Sequence, residues 1–181
     1  NTIDMSFVDK YNPQSVMYVW QGGMEGGHGI VDALTGLVNP CGKLTDTITY
    51  DLNDHPSTAN FGGEIQNIYA EDIYVGYRYY DSYQVEPRYP FGYGLSYAKF
   101  QSVLKELKQD ELTAELCVSV KNQSEFYSGK EILELYVHCP QGRVEKEYQK
   151  LIGFEKTKLL MPGENQDIRI KVNLADAASY D

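Results

Sequence analysis

Apolar and polar residues alternate most regularly in the second half of the chain. Leu112, Ala114, Leu116, Val118 and Val120 fall on every second position, the spacing that lines one face of a strand. Val103, Leu104 and Leu107 begin a strand before them, and Ile132, Leu133, Leu135, Tyr136 and Val137 form one after. Ile152 with Phe154, and Ile168 and Ile170 with Val172, supply two more, with Met161-Pro162-Gly163-Glu164 as the turn between. Short strands broken by turns at these intervals predict a two-sheet, immunoglobulin-like sandwich from Phe100 onward.

The first half follows other periods. Met5, Phe7 and Val8 mark a short helix, and the continuous apolar run Ser15–Trp20 reads as a buried strand of parallel type. Glycines at 22, 23, 26, 27 and 29 lead into Ile30, Val31, Ala33, Leu34 and Leu37, one face of a helix that Gly36, Asn39 and Pro40 stop. Lys43–Tyr50 predicts a short strand or extended edge, and residues 51–67 a loop. Ile73, Val75, Tyr77 and Tyr79 alternate with Tyr74, Gly76, Arg78 and Tyr80, which predicts a strand ended by Asp81 and Ser82. Tyr89, Phe91, Tyr93 and Tyr97 then cluster around Pro90, Gly92 and Gly94. So many rings in an irregular segment make either a packed inter-domain strap or an aromatic ligand surface.

Composition narrows the function classes. With 181 residues and 42% hydrophobic content the chain can hold a core, and a formal net charge of -10 argues against a nucleic-acid or anionic-membrane partner. Cys41, Cys117 and Cys139 are widely spaced and odd in number, so they predict small buried thiols, with a reducing, cytoplasmic compartment slightly favoured. The chain opens at Asn1 without an initiator methionine or a signal-peptide pattern, which predicts a fragment of something longer and leaves secretion unread.

Candidate chemistry is sparse. The glycine loop lacks the spacing and the Ser or Thr of a phosphate loop, and Glu25 and His28 intrude on a dinucleotide fingerprint. His28, His55 and His138 have no second ligand at metal spacing, so the expectation is no metal and no cofactor, with His28 a structural hydrogen-bonder. Asn122-Gln123-Ser124 reads either as a turn or as a glycosylation acceptor. Glu25, Glu64, Glu71 and Asp72 are the carboxylates nearest anything cleft-like, but neighbours on a strand, as Glu71 and Asp72 are expected to be, point to opposite faces.

The run EDIYVGYRYYD followed by YPFGYGLSYAKF closely resembles the segment of glycoside hydrolase family three that joins the second catalytic domain to a fibronectin type III-like domain. GGMEGGHGIVDALTGLVNPCGKLTDTIT upstream, and KNQSEFYSGKEILELYV, LIGFEKTKLLMPGE and Tyr180-Asp181 downstream, resemble the same family. The resemblance implies an α+β fragment: residues 1–50 as the remnant of an α/β sandwich domain, 51–97 as linker and aromatic junction, and 98–181 as an all-β, immunoglobulin or fibronectin type III-like sandwich. It also implies retaining hydrolysis of terminal β-D-glycosidic bonds by two carboxylates that lie outside this chain, on a β-glucoside or oligosaccharide substrate. The barrel carrying the nucleophile precedes the sandwich in some members and follows it in others. No catalytic residue is assigned here; Glu25, Asn60 and Glu64 are the binding candidates, and Tyr77, Tyr79, Phe91 and Tyr93 form the structural junction. The expected partners are the remaining catalytic domains of the same polypeptide. A free-standing carbohydrate- or protein-binding β-sandwich module is the alternative.

Overall fold

The computed structural model describes residues 3–138 and 140–179. Three helices, α1 (Phe7–Tyr11), α2 (Gly26–Leu34) and α3 (Tyr77–Tyr83), lie in the first half, with single 3-10 turns at Leu52–Asp54 and Thr58–Asn60. Five strands follow: β1 (Phe100–Gln109), β2 (Thr113–Asn122), β3 (Ile132–His138), β4 (Gln149–Lys156) and β5 (Asn165–Asn173), then a 3-10 turn at Leu174–Ala177.

The strands form the expected sandwich. One sheet has the order β1-β2-β5 and the other pairs β3 with β4, every neighbour antiparallel. Even-numbered residues of β2 point inward, so Ala114 and Val120 join Ile168, Ile170 and Val172 of β5 and Leu160 in the buried core. Leu116, Val118, Leu133, Leu135 and Ile152 pack around it. The sheets close at the β4/β5 side, where a side chain on Gly153 would come within 2.8 Å of Val172. Cys117 faces outward yet is buried, flanked in register by Glu106 and Arg169, whose charged ends lie 3.8 Å apart.

A bulge between Leu104 and Glu106 switches the inward set of β1 from even to odd positions. Leu104 pairs with Val118 and Leu107 with Leu116, so both leucines face inward. Each nevertheless remains 54% exposed.

The first half departs from expectation in four places. Residues 71–76 form turns and Tyr77–Tyr83 is a helix, with Asp81 and Ser82 inside it. Gly76 at φ +59° turns the chain into that helix, and the ring contacts between Tyr79 and Tyr83 span four residues, a helical spacing. Ser15–Trp20 pairs with no strand among the described residues, and Val16, Met17, Val19 and Trp20 stand exposed. A parallel strand needs neighbours on both sides, which no other described segment supplies.

Helix α2 starts inside the glycine run and ends before Leu37, because Gly36 at φ +76° takes the left-handed conformation just beyond Thr35. Residues 43–50 form no strand and bend at Thr45 and Asp46; they are tied to residues 89–93 by the bridge between Ile48 and Tyr89 and by Leu44–Tyr93 and Gly92–Leu44 backbone bonds. Of the cysteines, Cys117 is buried and Cys41 only half-buried; Cys139, like Tyr180 and Asp181, lies outside the described residues.

Candidate functional site

The two halves meet along one seam, built from three groups of residues. The first is the turn after α2. The Asn39 side-chain amide donates to the Ser128 carbonyl at 3.0 Å, while its Oδ1 accepts from Ser96 Oγ at 2.9 Å and from the Tyr97 amide at 3.0 Å. Lys43 donates to the Gly94 carbonyl at 3.1 Å and pairs with Glu131 at 3.0 Å. Gly129 is required beside them, since a Cβ there would press on Asn39 Nδ2 and the Phe100 ring.

The second group is aromatic. The Tyr77 ring centre lies 4.9 Å from Phe91 and 5.7 Å from Tyr136 of β3, the latter edge-on, and its hydroxyl accepts the Leu151 amide at 2.8 Å. Within α3, Tyr79 meets Tyr80 edge-on and lies tilted against Tyr83, and Tyr93 lies tilted against Tyr89. A cavity of about 220 Å³ opens here, lined by Tyr77, Asp81, Phe91, Glu134, Tyr136 and Gln149 among others. Its polar walls bond one another: Tyr136 donates to Glu134 at 2.7 Å and Gln149 to Asp81 at 2.8 Å. Burial, with Glu134 second, raises the Tyr136 phenol above its ordinary range. Gly92, at φ +78°, leaves the room that the Glu134 carboxylate occupies.

The third group is the β3–β4 connection against α3. Tyr74 donates to Glu145 at 2.6 Å, Ser82 Oγ accepts the Tyr148 amide at 2.9 Å, and Arg78 lies 3.8 Å from the buried Glu147. Behind α3, the buried Tyr80 hydroxyl meets His55 Nδ1 at 3.0 Å. Elsewhere Arg88 spans Asp9 and the Tyr50 ring, fastening α1 to the strap.

The carboxylate candidates stand apart from this seam. Glu25 bonds His28 Nδ1 at 2.6 Å, with both side chains more than 80% exposed. Asn60 closes the turn Thr58–Asn60 and Glu64 is exposed; no hydrogen bond or ion pair joins Glu25, Asn60 and Glu64 among the described residues. Asp72 is exposed at φ +47°, and Glu71 is half-buried in the turns before α3. No cluster of three metal-binding side chains occurs among the described residues. Asn122 is wholly buried: its amide donates to the Tyr127 and Leu160 carbonyls at 2.8 and 3.0 Å, so it makes a turn and cannot accept a glycan in this fold. Asn39, Lys43 and Glu131 escaped residue-level reading. The sequence signal for the first two is the Asn-Pro-x-Gly-Lys spacing, and nothing local marks Glu131 as their partner.

Known proteins fit this architecture. Residues 1–97 match the glycosyl hydrolase family 3 C-terminal domain and residues 131–181 a fibronectin type III-like domain. β1 and β2 fall between the two matched ranges but are hydrogen-bonded into the same sheet as β5. A β-glucosidase of Ruminococcus albus is 48% identical over all of this chain, which covers 19% of that protein. β-Glucosidase A of Butyrivibrio fibrisolvens is 41% identical over 92% of the chain and 22% of its own length. Among solved structures, a β-glucosidase from Paenibacillus barengoltzii superposes with a TM-score of 0.94 at 44% identity, over 100% of this chain and 21% of that one. The chain therefore spans about a fifth of the length of its relatives, as a segment of an α/β domain followed by a β-sandwich. It belongs to glycosyl hydrolase family 3.

Proposed function

We propose that this chain is a non-catalytic segment of a β-glucosidase, which in its full length hydrolyses terminal β-D-glycosidic bonds of β-glucosides or oligosaccharides by a retaining, two-carboxylate mechanism. The observation that carries the reading is the match of the whole chain to β-glucosidases five times its length. The exposed side chains of Val16, Met17, Val19 and Trp20 support it, because a free-standing module has no reason to leave so much apolar surface in water. In this reading that surface packs against the rest of the polypeptide's α/β domain. Residues 1–50, 51–97 and 98–181 then act as domain remnant, junction and sandwich, and Tyr77, Tyr79, Phe91 and Tyr93 serve packing.

The test compares the full-length protein with this chain on an aryl β-glucoside. Turnover by the full-length protein and none by the chain is the expected result. Turnover by the chain that disappears on Glu25→Gln or Glu64→Gln would place the chemistry here instead. Oligosaccharide binding by the chain with no hydrolysis by the full-length protein would favour a binding module.

A further inference from the structure

The seam cavity carries two acids and no base. Asp81 enters it from α3 and Glu134 from β3, and no Lys, Arg or His joins the lining among the described residues. Tyr136 and Gln149 each engage one oxygen of their carboxylate, but both are neutral donors and leave the negative charges in place. No ion pair reaches Asp81 or Glu134 among the described residues. The Arg78 guanidinium lies 5.9 Å from the Tyr77 ring centre, outside the lining, and is turned to Glu147.

Two further features mark the cavity as unfinished. Thr47, only 4% exposed, is part of its wall, and the Thr47 hydroxyl has no hydrogen-bond partner among the described residues. The missing side chain of Gly92 leaves the place that the Glu134 carboxylate takes, so the acid is built into the seam. Like charges sharing half-buried space call for a counter-charge.

The walls say which kind of cation. A calcium-like ion takes about six to eight oxygens, and no cluster of three metal-binding side chains occurs among the described residues. The rings of Tyr77, Phe91 and Tyr136 instead offer apolar area and π faces, which suit a cation with a hydrocarbon body. At about 220 Å³ the space is smaller than sites for drug-sized ligands, which begin near about 300 Å³. A neutral polyol would fit the size but leave both charges uncompensated.

From this arrangement we propose that the seam cavity binds a small primary alkylammonium ion, whose charged end bridges Asp81 and Glu134 while its alkyl body lies against Tyr77, Phe91 and Tyr136. Occupancy ties α3 to β3 and so fastens the two halves of the chain. The proposal does not rest on β-glucoside hydrolysis.

The experiment titrates the full-length protein with propylammonium chloride at pH 7, where the amine is charged. Saturable binding by calorimetry is expected, with a larger rise in melting temperature than potassium chloride or 1-propanol gives at the same concentration. Asp81→Asn and Glu134→Gln, which keep the side-chain shape, should each weaken the affinity at least about tenfold. Absence of saturable binding overturns the proposal. So does an equal response to potassium chloride, which is screening, or to 1-propanol, which is an apolar pocket. Equal affinity in the unaltered protein and both variants puts the ion elsewhere in the polypeptide and also overturns it, as does saturable glycerol binding lost in both variants, which makes this a polyol site. Should one variant not fold, the other and the comparison of propylammonium with 1-propanol decide. These readouts can fail while β-glucoside hydrolysis persists, and the reverse.

Discussion

Lys43 and Glu131, one from the turn after α2 and one from the approach to β3, meet at 3.0 Å with their side chains only 20% and 19% exposed. At that depth the pair is shielded from the solvent screening that makes surface ion pairs weak. Each partner is also hydrogen-bonded, Lys43 to the Gly94 carbonyl and Glu131 to the Ile132 amide. Removing one charge leaves the other half-buried and unpaired. We expect Lys43→Met and Glu131→Gln each to cost about 1–3 kcal/mol, and the double variant less than the sum. A double-mutant cycle of thermal melts checks this, and strict additivity would show that the two charges do not sense each other.

Phe91 should matter through packing. It lies against Tyr77, which in turn touches Tyr136 and caps the Leu151 amide, so truncation opens the seam at its centre. Truncating a fully buried phenylalanine to alanine costs about 3–5 kcal/mol; for this half-buried ring, Phe91→Ala should cost about 2 kcal/mol in melts. Affinity for glucan, measured on the same protein, should not change. The opposite pattern, intact stability with lost glucan binding, would make the aromatic cluster a ligand surface.

Asn122→Ala should cost about 1–3 kcal/mol, since it takes from the Tyr127 carbonyl its side-chain donor, from the Leu160 carbonyl one of two donors (the Gly129 amide stays), and from the Ser124 amide its acceptor. Expression in a glycosylating host should add no mass at this position. A glycan found on Asn122 would require the Tyr127–Leu160 region to open before folding is complete.

Asp110 gives a pH test. Its carboxylate accepts from the Leu112 and Thr113 amides at 2.8 and 2.7 Å, which lowers its pKa below the ordinary 3.8. A depressed carboxylate contributes stability that is present above the unfolded value and is lost as the pH falls through the folded one. Asp110→Ala should therefore lower stability near neutrality and reduce the steepness of acid destabilisation below about pH 4. Parallel acid profiles for the two proteins would show that the turn does not depend on this charge.

Legibility followed the range of the interactions. All five strands were readable, because period-two alternation and turns such as Met161–Glu164 are local signals. The same period misled at Ile73–Tyr80. Tyr77 and Tyr80 are equally consistent with a helical face, and the left-handed Gly76 that decides between them cannot be told from any other glycine by pattern. Ser15–Trp20 has strand-like composition, but a strand is defined by neighbours, and none is present among the described residues. At the seam, the aromatic members announced themselves by crowding. The Asn39 and Lys43 anchors did not, because their partners Ser128 and Glu131 are distant in sequence and a single Glu among 26 acidic residues carries no mark of its pairing.

The asymmetry of the seam bears on how the protein could be mounted on a solid support. The contacts from Tyr74, Tyr77, Asp81, Ser82 and Lys43 all land on β3, β4 or the residues beside them, while the outer face of the β1-β2-β5 sheet carries Lys121 and Lys171, both exposed. Amine coupling through those two lysines would grip the sheet that takes no part in those contacts. The immobilised protein would then hang by its outer sheet, with the anchoring face left as it is in solution.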